Sequence, residues 1–387
     1  MSVYQNFGVP TVINACGTVT RLSGGRMHPE VAAAMVAAST ECVDMVDLQA
    51  AACRVIARVT GAEAGIVTSG ASAGILLAAS ACLAGLDPAR MNRLPHVADG
   101  RNEFIVVRSQ RNMYDRALCV AGGKLVEVGI PDRYSGPGVR DASAWEIAEA
   151  ITENTAGIYY LAHAQSQPAL PDVAAIAREH RIPLVVDAAA QLPPAANLRR
   201  FLEQGADLVA FSGGKAIGGP QSSGILCGRA DLISSALLQM LDLDVFPELW
   251  RAPSEFASLR QLPGLPHHGI GRSCKVGKEE IVGLLVALER FAADTDEARH
   301  QRWRALLDTI IASADDASGL SLSLVHGAVP LLAVATQDAS ALAAQLAAGT
   351  PSIQCSLARQ REGVLLFSPV SLTADDARII GERLRAI

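Results

Sequence analysis

The sequence predicts an α/β protein: a seven-stranded, mainly parallel sheet with helices between its strands, followed by a smaller C-terminal α+β domain. Three observations predict it. Short apolar runs recur through the first two-thirds of the chain, helical patterns separate several of them, and the composition changes after about residue 243. The runs that read as strands are Gly65–Thr68, Phe104–Val107, Lys124–Val128, Gly157–Leu161, Pro183–Asp187, Asp207–Phe211 and Ser223–Cys227.

The intervening helices follow from periodicity and end signals. Asp44–Val59 places Leu48, Ala51, Ala52, Val55 and Val59 on one face. Asp172–His180 follows Pro171, with Asp172 as its expected N-cap. Phe201–Gln204 stops at Gly205, a C-cap glycine. Leu243–Gly271, rich in proline and aromatics and without a period, reads as a crossover or active-site loop. Helices are then expected over Lys278–Ala292 and Glu297–Ala314, strands at Leu331–Ala335 and Val364–Phe367, and a closing helix over Ala374–Leu384 with Thr373 as N-cap. The organisation expected is an N-terminal arm over 1–40, a large domain over 41–245, and a crossover loop and small domain over 246–387.

Composition excludes several function classes. Of 387 residues, half are hydrophobic and 19% are charged, which argues against disorder. No apolar run approaches the ~20 residues of a membrane span. The first residues lack a basic head followed by an apolar stretch, so no secretory signal is expected. A net charge of −6 without a basic stripe favours a small-molecule partner over nucleic acid. The 8 cysteines form no CxxC pair or zinc spacing, and are expected as buried, reduced thiols in a cytoplasmic protein.

Three segments carry the chemistry. Thr68-Ser69-Gly70-Ala71-Ser72-Ala73-Gly74 links a strand to an apolar helix. Its small residues and free helix-start N–H groups suit a phosphate, although an ordinary capped turn has the same pattern. Asp187 ends an apolar strand, where it can hold a ring nitrogen protonated or cap the next helix. Lys215 sits in Ser212-Gly213-Gly214-Lys215-Ala216-Ile217-Gly218-Gly219-Pro220, between two strands. It reads as a Schiff-base lysine or a solvated surface lysine. The loop lacks the spacing of a nucleotide phosphate loop. Taken in order, phosphate turn, strand-end Asp and Gly-flanked Lys reproduce the arrangement of fold-type I enzymes that use pyridoxal 5'-phosphate (PLP).

The sequence resembles the family related to bacterial selenocysteine synthase, which includes D-glucosaminate-6-phosphate ammonia-lyase-like proteins. The resemblance runs nearly end to end. Val12-Ile13-Asn14-Ala15-Cys16-Gly17-Thr18 is similar to the family's opening motif, and Leu22 through Val31 to a second, with Arg26 in place of a small residue. Thr60 through Gly74 matches the phosphate turn, Val186-Asp187-Ala188-Ala189 and Ser212-Gly213-Gly214-Lys215 the cofactor pair, and His268 through Glu279 the late motif. The resemblance implies an aspartate-aminotransferase-like fold, PLP as cofactor, Lys215 and Asp187 as catalytic residues, and Ser69, Gly70, Ala71, Ser72, Gln167 and Ser212 around the cofactor. Selenocysteine synthase carries an extra N-terminal tRNA domain, whereas this chain begins almost at the catalytic core, so tRNA binding is not expected.

Substrate contacts are open at this stage. Arg272 could grip a carboxylate or phosphate, or bond a helix end. Arg111, Asn112 and Tyr114 follow the second strand and Arg26 lies in the second motif; each reads as a substrate group or a structural one. Gln167 could reach the ring's phenolic oxygen or serve only its loop. His163, His267 and His268 read as loop residues or acid–base groups. The preferred activity is α,β-elimination releasing ammonia from a hydroxylated amino acid or amino sugar acid. Transamination, racemisation, retro-aldol cleavage, β-replacement and a non-catalytic PLP-fold binder stand as alternatives. A homodimer or larger homo-oligomer is expected, with no membrane or nucleic-acid partner.

Overall fold

A computed structural model describes residues 2–98, 100–131, 141–314 and 320–386. The chain divides into two compact units. The larger comprises His28–Leu192 and Ala196–Phe291; the smaller comprises Met1–Met27, Pro193–Ala195 and Ala292–Ile387.

After β1 (Val12–Ala15), which belongs to the smaller unit, come α1 (Pro29–Ser39), α2 (Met45–Thr60), β2 (Ala64–Thr68), α3 (Ala71–Ala84), α4 (Pro88–Arg93) and β3 (Glu103–Val107). Next are α5 (Arg116–Val120), β4 (Lys124–Val128), α6 (Ala144–Glu149), β5 (Thr155–Leu161), α7 (Leu170–His180) and β6 (Leu184–Asp187). The larger unit closes with α8 (Asn197–Glu203), β7 (Leu208–Ser212), β8 (Gly224–Gly228), α9 (Ala230–Met240) and most of α10 (Lys278–Ala293).

All seven expected strands form one sheet in the order β2-β8-β7-β6-β5-β3-β4. The pairs from β7 to β4 are parallel, and β8 runs antiparallel to both its neighbours. All but the edge strand β4 are buried along most of their length, as expected of strands covered on both faces. One cover is α3, apolar all round and buried from Gly74 to Ala81.

Two helices differ from the sequence reading. In α2 the buried residues are Gln49, Ala50, Ala52, Cys53, Ile56 and Thr60; Leu48, Ala51, Val55 and Val59 are only partly buried. The face is rotated because β2 is an edge strand with free backbone groups. Gln49 satisfies them, accepting from the Val67 N–H at 3.0 Å and donating to the Val67 carbonyl at 2.9 Å. Asp172 does not cap α7, whose N-cap is Ala169; Pro171 lies inside the first turn, where its missing N–H leaves no bond unmade. Residues 243–271 carry only 3-10 turns, as an irregular segment should.

The smaller unit contains α11 (Asp296–Ala314), β9 (Ser321–Val325), β10 (Leu331–Ala335), α12 (Ala339–Ala348), β11 (Ser352–Cys355), β12 (Val364–Phe367) and α13 (Ala374–Arg385). β12-β10-β9 form an antiparallel sheet, while β1 pairs in parallel with β11, Val12 opposite Ser352. Ile13, Leu307, Val334, Ile353, Phe367 and Ile380 belong to its core. Thr373 caps α13 in a capping box with Asp376. The cysteines are all free, but only Cys53, Cys227 and Cys355 are buried as expected; Cys16, Cys82 and Cys274 are partly covered, and Cys42 and Cys119 are exposed.

Candidate active site

The parallel sheet gathers the candidate residues on one edge. β2, β5, β6 and β7 all end there, and β8 begins there. Thr68 is paired with Gly224 and Gly224 with Ser212, so the phosphate turn, the start of β8 and the lysine loop lie in one row. Asp187 sits next to Ala210 on β7, two residues before Ser212. Ligands of open α/β sheets bind at this carboxyl edge.

Asp187 ends β6 and is 4% exposed. Its Oδ1 accepts from the Ala189 N–H at 3.0 Å and its Oδ2 from the Tyr159 hydroxyl at 2.9 Å. Burial raises its carboxyl above the usual value, while these two donors and the charge of Lys215 act to keep it ionised. Lys215 is half-buried in a tight turn. The Gly213 N–H donates to the Ser223 carbonyl, the Gly219 N–H to the Gly213 carbonyl, and the Gly218 N–H to the Lys215 carbonyl. Burial pulls its ammonium below the usual lysine value, with Asp187 opposing. Among the described residues its Nζ has no hydrogen-bond partner. It is a restrained amine biased towards the neutral, nucleophilic form.

The turn after β2 places Gly70 at φ +117°, a backbone that L side chains rarely adopt. α3 then begins at Ala71 without a side-chain cap. Its first internal bond is from Gly74 N–H to Gly70 carbonyl at 3.0 Å, so the Ala71, Ser72 and Ala73 N–H groups are left for an anion. A Cβ at Gly224 would stand 2.5 Å from the Gly70 carbonyl carbon, so β8 and the turn meet backbone to backbone. Ser69 is committed differently from its expected role: its hydroxyl donates to the Cys274 carbonyl at 2.8 Å. Ser72 is exposed at the helix start, and Ser212 is half-buried at the end of β7.

The expected substrate groups are mostly engaged already. Arg111 pairs with Asp115 at 2.5 Å and also with Glu127. Tyr114 is 57% exposed. Arg26 belongs to the smaller unit and pairs with Asp376 at 2.7 Å. Arg272 pairs with Asp242 at 2.6 Å and, with Lys275, Val276 and Met240, lines a cavity of about 530 Å³. His268 contacts Asp244 at 3.1 Å, and His163 is exposed. The Gln167 side chain is exposed; its carbonyl accepts from Gln110 Nε2 at 3.2 Å.

Two residues escaped the sequence reading. Gln110, 2% exposed, ties the Gln167 carbonyl to the Leu161 N–H and so holds the loops after β3 and β5. Tyr159 lay inside an expected strand and read as core. The signal available was a pair of phenols, Tyr159 and Tyr160, in an apolar strand beside the Asp187 strand, since a buried phenol needs a partner.

With this geometry in view, comparison with known proteins is direct. Residues 12–244 match the family model SelA, described as L-seryl-tRNA selenium transferase. The chain belongs to the SelA family. Among SelA-related proteins of known activity, a 5'-C-glycyluridine monooxygenase-decarboxylase from Streptomyces sp is 32% identical, over 99% of this chain and 91% of that protein. A D-glucosaminate-6-phosphate ammonia lyase from Salmonella typhimurium (strain 14028s / SGSC 2262) is 30% identical, over 100% of this chain and 98% of that protein. A solved structure of D-glucosaminate-6-phosphate ammonia-lyase superposes with a TM-score of 0.81 at 28% identity, covering 100% and 98% of the two chains. The fold is the aspartate-aminotransferase-like fold type I, as the sequence predicts.

Proposed function

We propose that this SelA-family chain is a PLP-dependent lyase that eliminates a β-hydroxyl from a hydroxylated amino acid or amino sugar acid and releases ammonia. The observation that carries the reading is the buried Asp187 carboxylate at the end of β6, with the amine of Lys215 as its neighbouring charge. The ammonia-lyase relative, similar over essentially its whole length, supports the reaction type.

The residues present fit PLP. The uncapped start of α3 and the close approach of Gly70 and Gly224 form a backbone cradle for a phosphate. Asp187 suits a pyridinium nitrogen, and Lys215 an aldehyde. Ser109 Oγ, buried without a partner at the end of β3, is a further polar group on the same sheet edge. Bound there, the coenzyme supplies an electron sink for charge developing at the substrate α-carbon.

The chain's own residues do the rest. The N–H groups of Ala71, Ser72 and Ala73 hold the phosphate. Asp187 keeps the ring nitrogen protonated. With the coenzyme bound, Lys215 Nζ would be the group that takes the proton from the substrate α-carbon. Its burial favours the neutral amine that a general base requires. Water leaves from the β-carbon and re-enters on hydrolysis, so the net products are a 2-keto acid and ammonium. Arg272 and Lys275, at the rim of the 530 Å³ cavity, are the proposed grip on an acidic substrate group. Arg111 and Arg26 take structural roles, because their partners Asp115 and Asp376 are buried, whereas Asp242, the partner of Arg272, is exposed and can yield to a substrate anion.

Release of ammonium and 2-keto acid from a panel of hydroxylated amino acids and amino sugar acids tests the activity. Amino transfer to a keto acid without ammonium would overturn it. The monooxygenase-decarboxylase relative favours a second reading, loss of the α-carboxylate; carbon dioxide release with oxygen uptake would select it. Borohydride reduction with PLP, then peptide mapping, is expected to label Lys215.

A homodimer is proposed as well. In α1 only Val31 is buried, and Val36 is 68% exposed, which suits an apolar helix covered by a second copy. Light scattering measures this directly. A cytoplasmic location is in keeping with Cys227, whose thiol burial pushes up to about 12 and which packs as core. No helix of the described residues is long and apolar enough to cross a membrane.

A further inference from the structure

Tyr159 is 1% exposed on β5, the strand beside Asp187. Tyr159 is opposite Val185 and Leu161 opposite Asp187, so Tyr159 and Asp187 point to the same face, two residues apart along the sheet. The phenol spans that offset and donates to Asp187 Oδ2 at 2.9 Å. With the Ala189 N–H on Oδ1, each carboxylate oxygen has one donor. The Asn112 side chain, whose Oδ1 accepts from the Tyr114 N–H at 2.7 Å, lies near enough to the phenol to act against the rise in its pKa. The Asn112 N–H donates to Asp115 Oδ2 at 3.1 Å, and Asp115 is pinned by Arg111. The charged groups facing the pair are thus Lys215, from the turn after β7, and Asp115, from the start of α5.

A buried carboxylate next to a ring nitrogen has a choice of proton position. The proton sits on nitrogen, opposite a carboxylate anion, or on the carboxyl, opposite a neutral ring. Burial alone favours the neutral arrangement, which is the weaker electron sink. A donor aimed at the carboxylate favours the anion. We propose that Tyr159 is a positioning residue for the proposed elimination. Its phenol holds Asp187 as the anion, so that the shared proton stays on the coenzyme nitrogen, and leaves the remaining carboxylate lone pairs for that N–H. Burial and the adjacent carboxylate raise the phenol's own pKa, so it stays a donor throughout the working pH range. The charge of Asp115 adds to this by favouring the protonated phenol. This inference rests on PLP binding at Lys215.

The experiment uses holoenzyme reconstituted with PLP labelled with 15N in the ring. Tyr159→Phe keeps the ring packing and removes only the hydroxyl. Its 15N resonance is expected to move towards that of unprotonated pyridine. kcat is expected to fall about tenfold or more, the worth of a charge-assisted hydrogen bond. KM should stay within about twofold, because the lost interaction acts on the transition state. Tyr159→3-fluorotyrosine, a stronger donor of nearly the same shape, should keep the ring protonated and kcat near wild type. An unmoved resonance in Tyr159→Phe, or an equal fall in kcat for both variants, overturns the donor role. Should the phenylalanine variant not fold, the fluorotyrosine protein decides alone: a resonance shifted towards neutral pyridine overturns the proposal. A wild-type protein with no PLP on Lys215 sinks the coenzyme reading and this inference with it; the other adverse results sink the inference alone.

Discussion

Gly224→Ala is the sharpest probe of the phosphate turn. The added Cβ would lie 2.5 Å from the Gly70 carbonyl carbon, 2.7 Å from the Ala71 nitrogen and 2.9 Å from the Gly70 Cα. Ordinary contact begins at 3.4 Å, so the turn must retreat by about 0.9 Å (3.4 less 2.5). None of the three atoms can rotate aside, because all are backbone. The retreat moves the Ala71 N–H, the first donor of the anion site. Overpacking of this kind costs about 1–3 kcal/mol, or about 5- to 150-fold if all of it falls on cofactor binding. Titration of PLP into cofactor-free protein, with a urea melt alongside, separates binding from stability. Gly264→Ala is the control, since nothing stands within 4 Å of its Cβ. Weakened PLP binding in Gly224→Ala alone is expected. Unchanged binding together with an unchanged melt would refute the clash argument. Unchanged binding with a lowered melt would refute the turn's role as the phosphate cradle.

Two further outcomes follow from burial. Gln49→Leu removes both bonds to Val67 and leaves an N–H and a carbonyl of β2 unpaired, so the urea midpoint should drop by the equivalent of about 2–4 kcal/mol; a loss under about 0.5 kcal/mol would show that water replaces the amide. Lys215 has a folded pKa below its unfolded value of about 10.4, so its contribution to stability is present above that value and lost as pH falls through the folded one. Melts of cofactor-free wild type and Lys215→Met between about pH 7 and 10 should therefore show wild type gaining on the variant as pH rises, and a pH-independent gap would contradict this.

The sheet was legible because its strands are buried on both faces and read as continuous apolar runs, bounded by Gly, Pro and Asp. The placement of Asp187 and Lys215 at the carboxyl edge of the sheet was legible because strand ends and glycine-rich turns mark that edge. The buried face of α2 was not. Gln49 and Cys53 look polar in a local pattern, and only the position of β2 at the edge makes a glutamine the right inward residue. Tyr159 was hidden for a related reason: its hydroxyl has a purpose only once β5 and β6 lie side by side. Arg26 and Arg111 read as substrate grips because the sequence shows a charge but not its partner, and Asp376 stands near the opposite end of the chain from Arg26. β1 and its pairing with β11 were missed because that contact joins the two ends of the sequence.

That pairing shapes how the protein is made. Val12 leaves the ribosome long before Ser352, its partner in the pair. The larger unit can fold while synthesis continues, but β1 must wait as an unpaired edge until β11 has been made. A nascent chain stalled before β11 would therefore carry a finished sheet and an orphan N-terminal strand, the kind of sticky edge that chaperones shield.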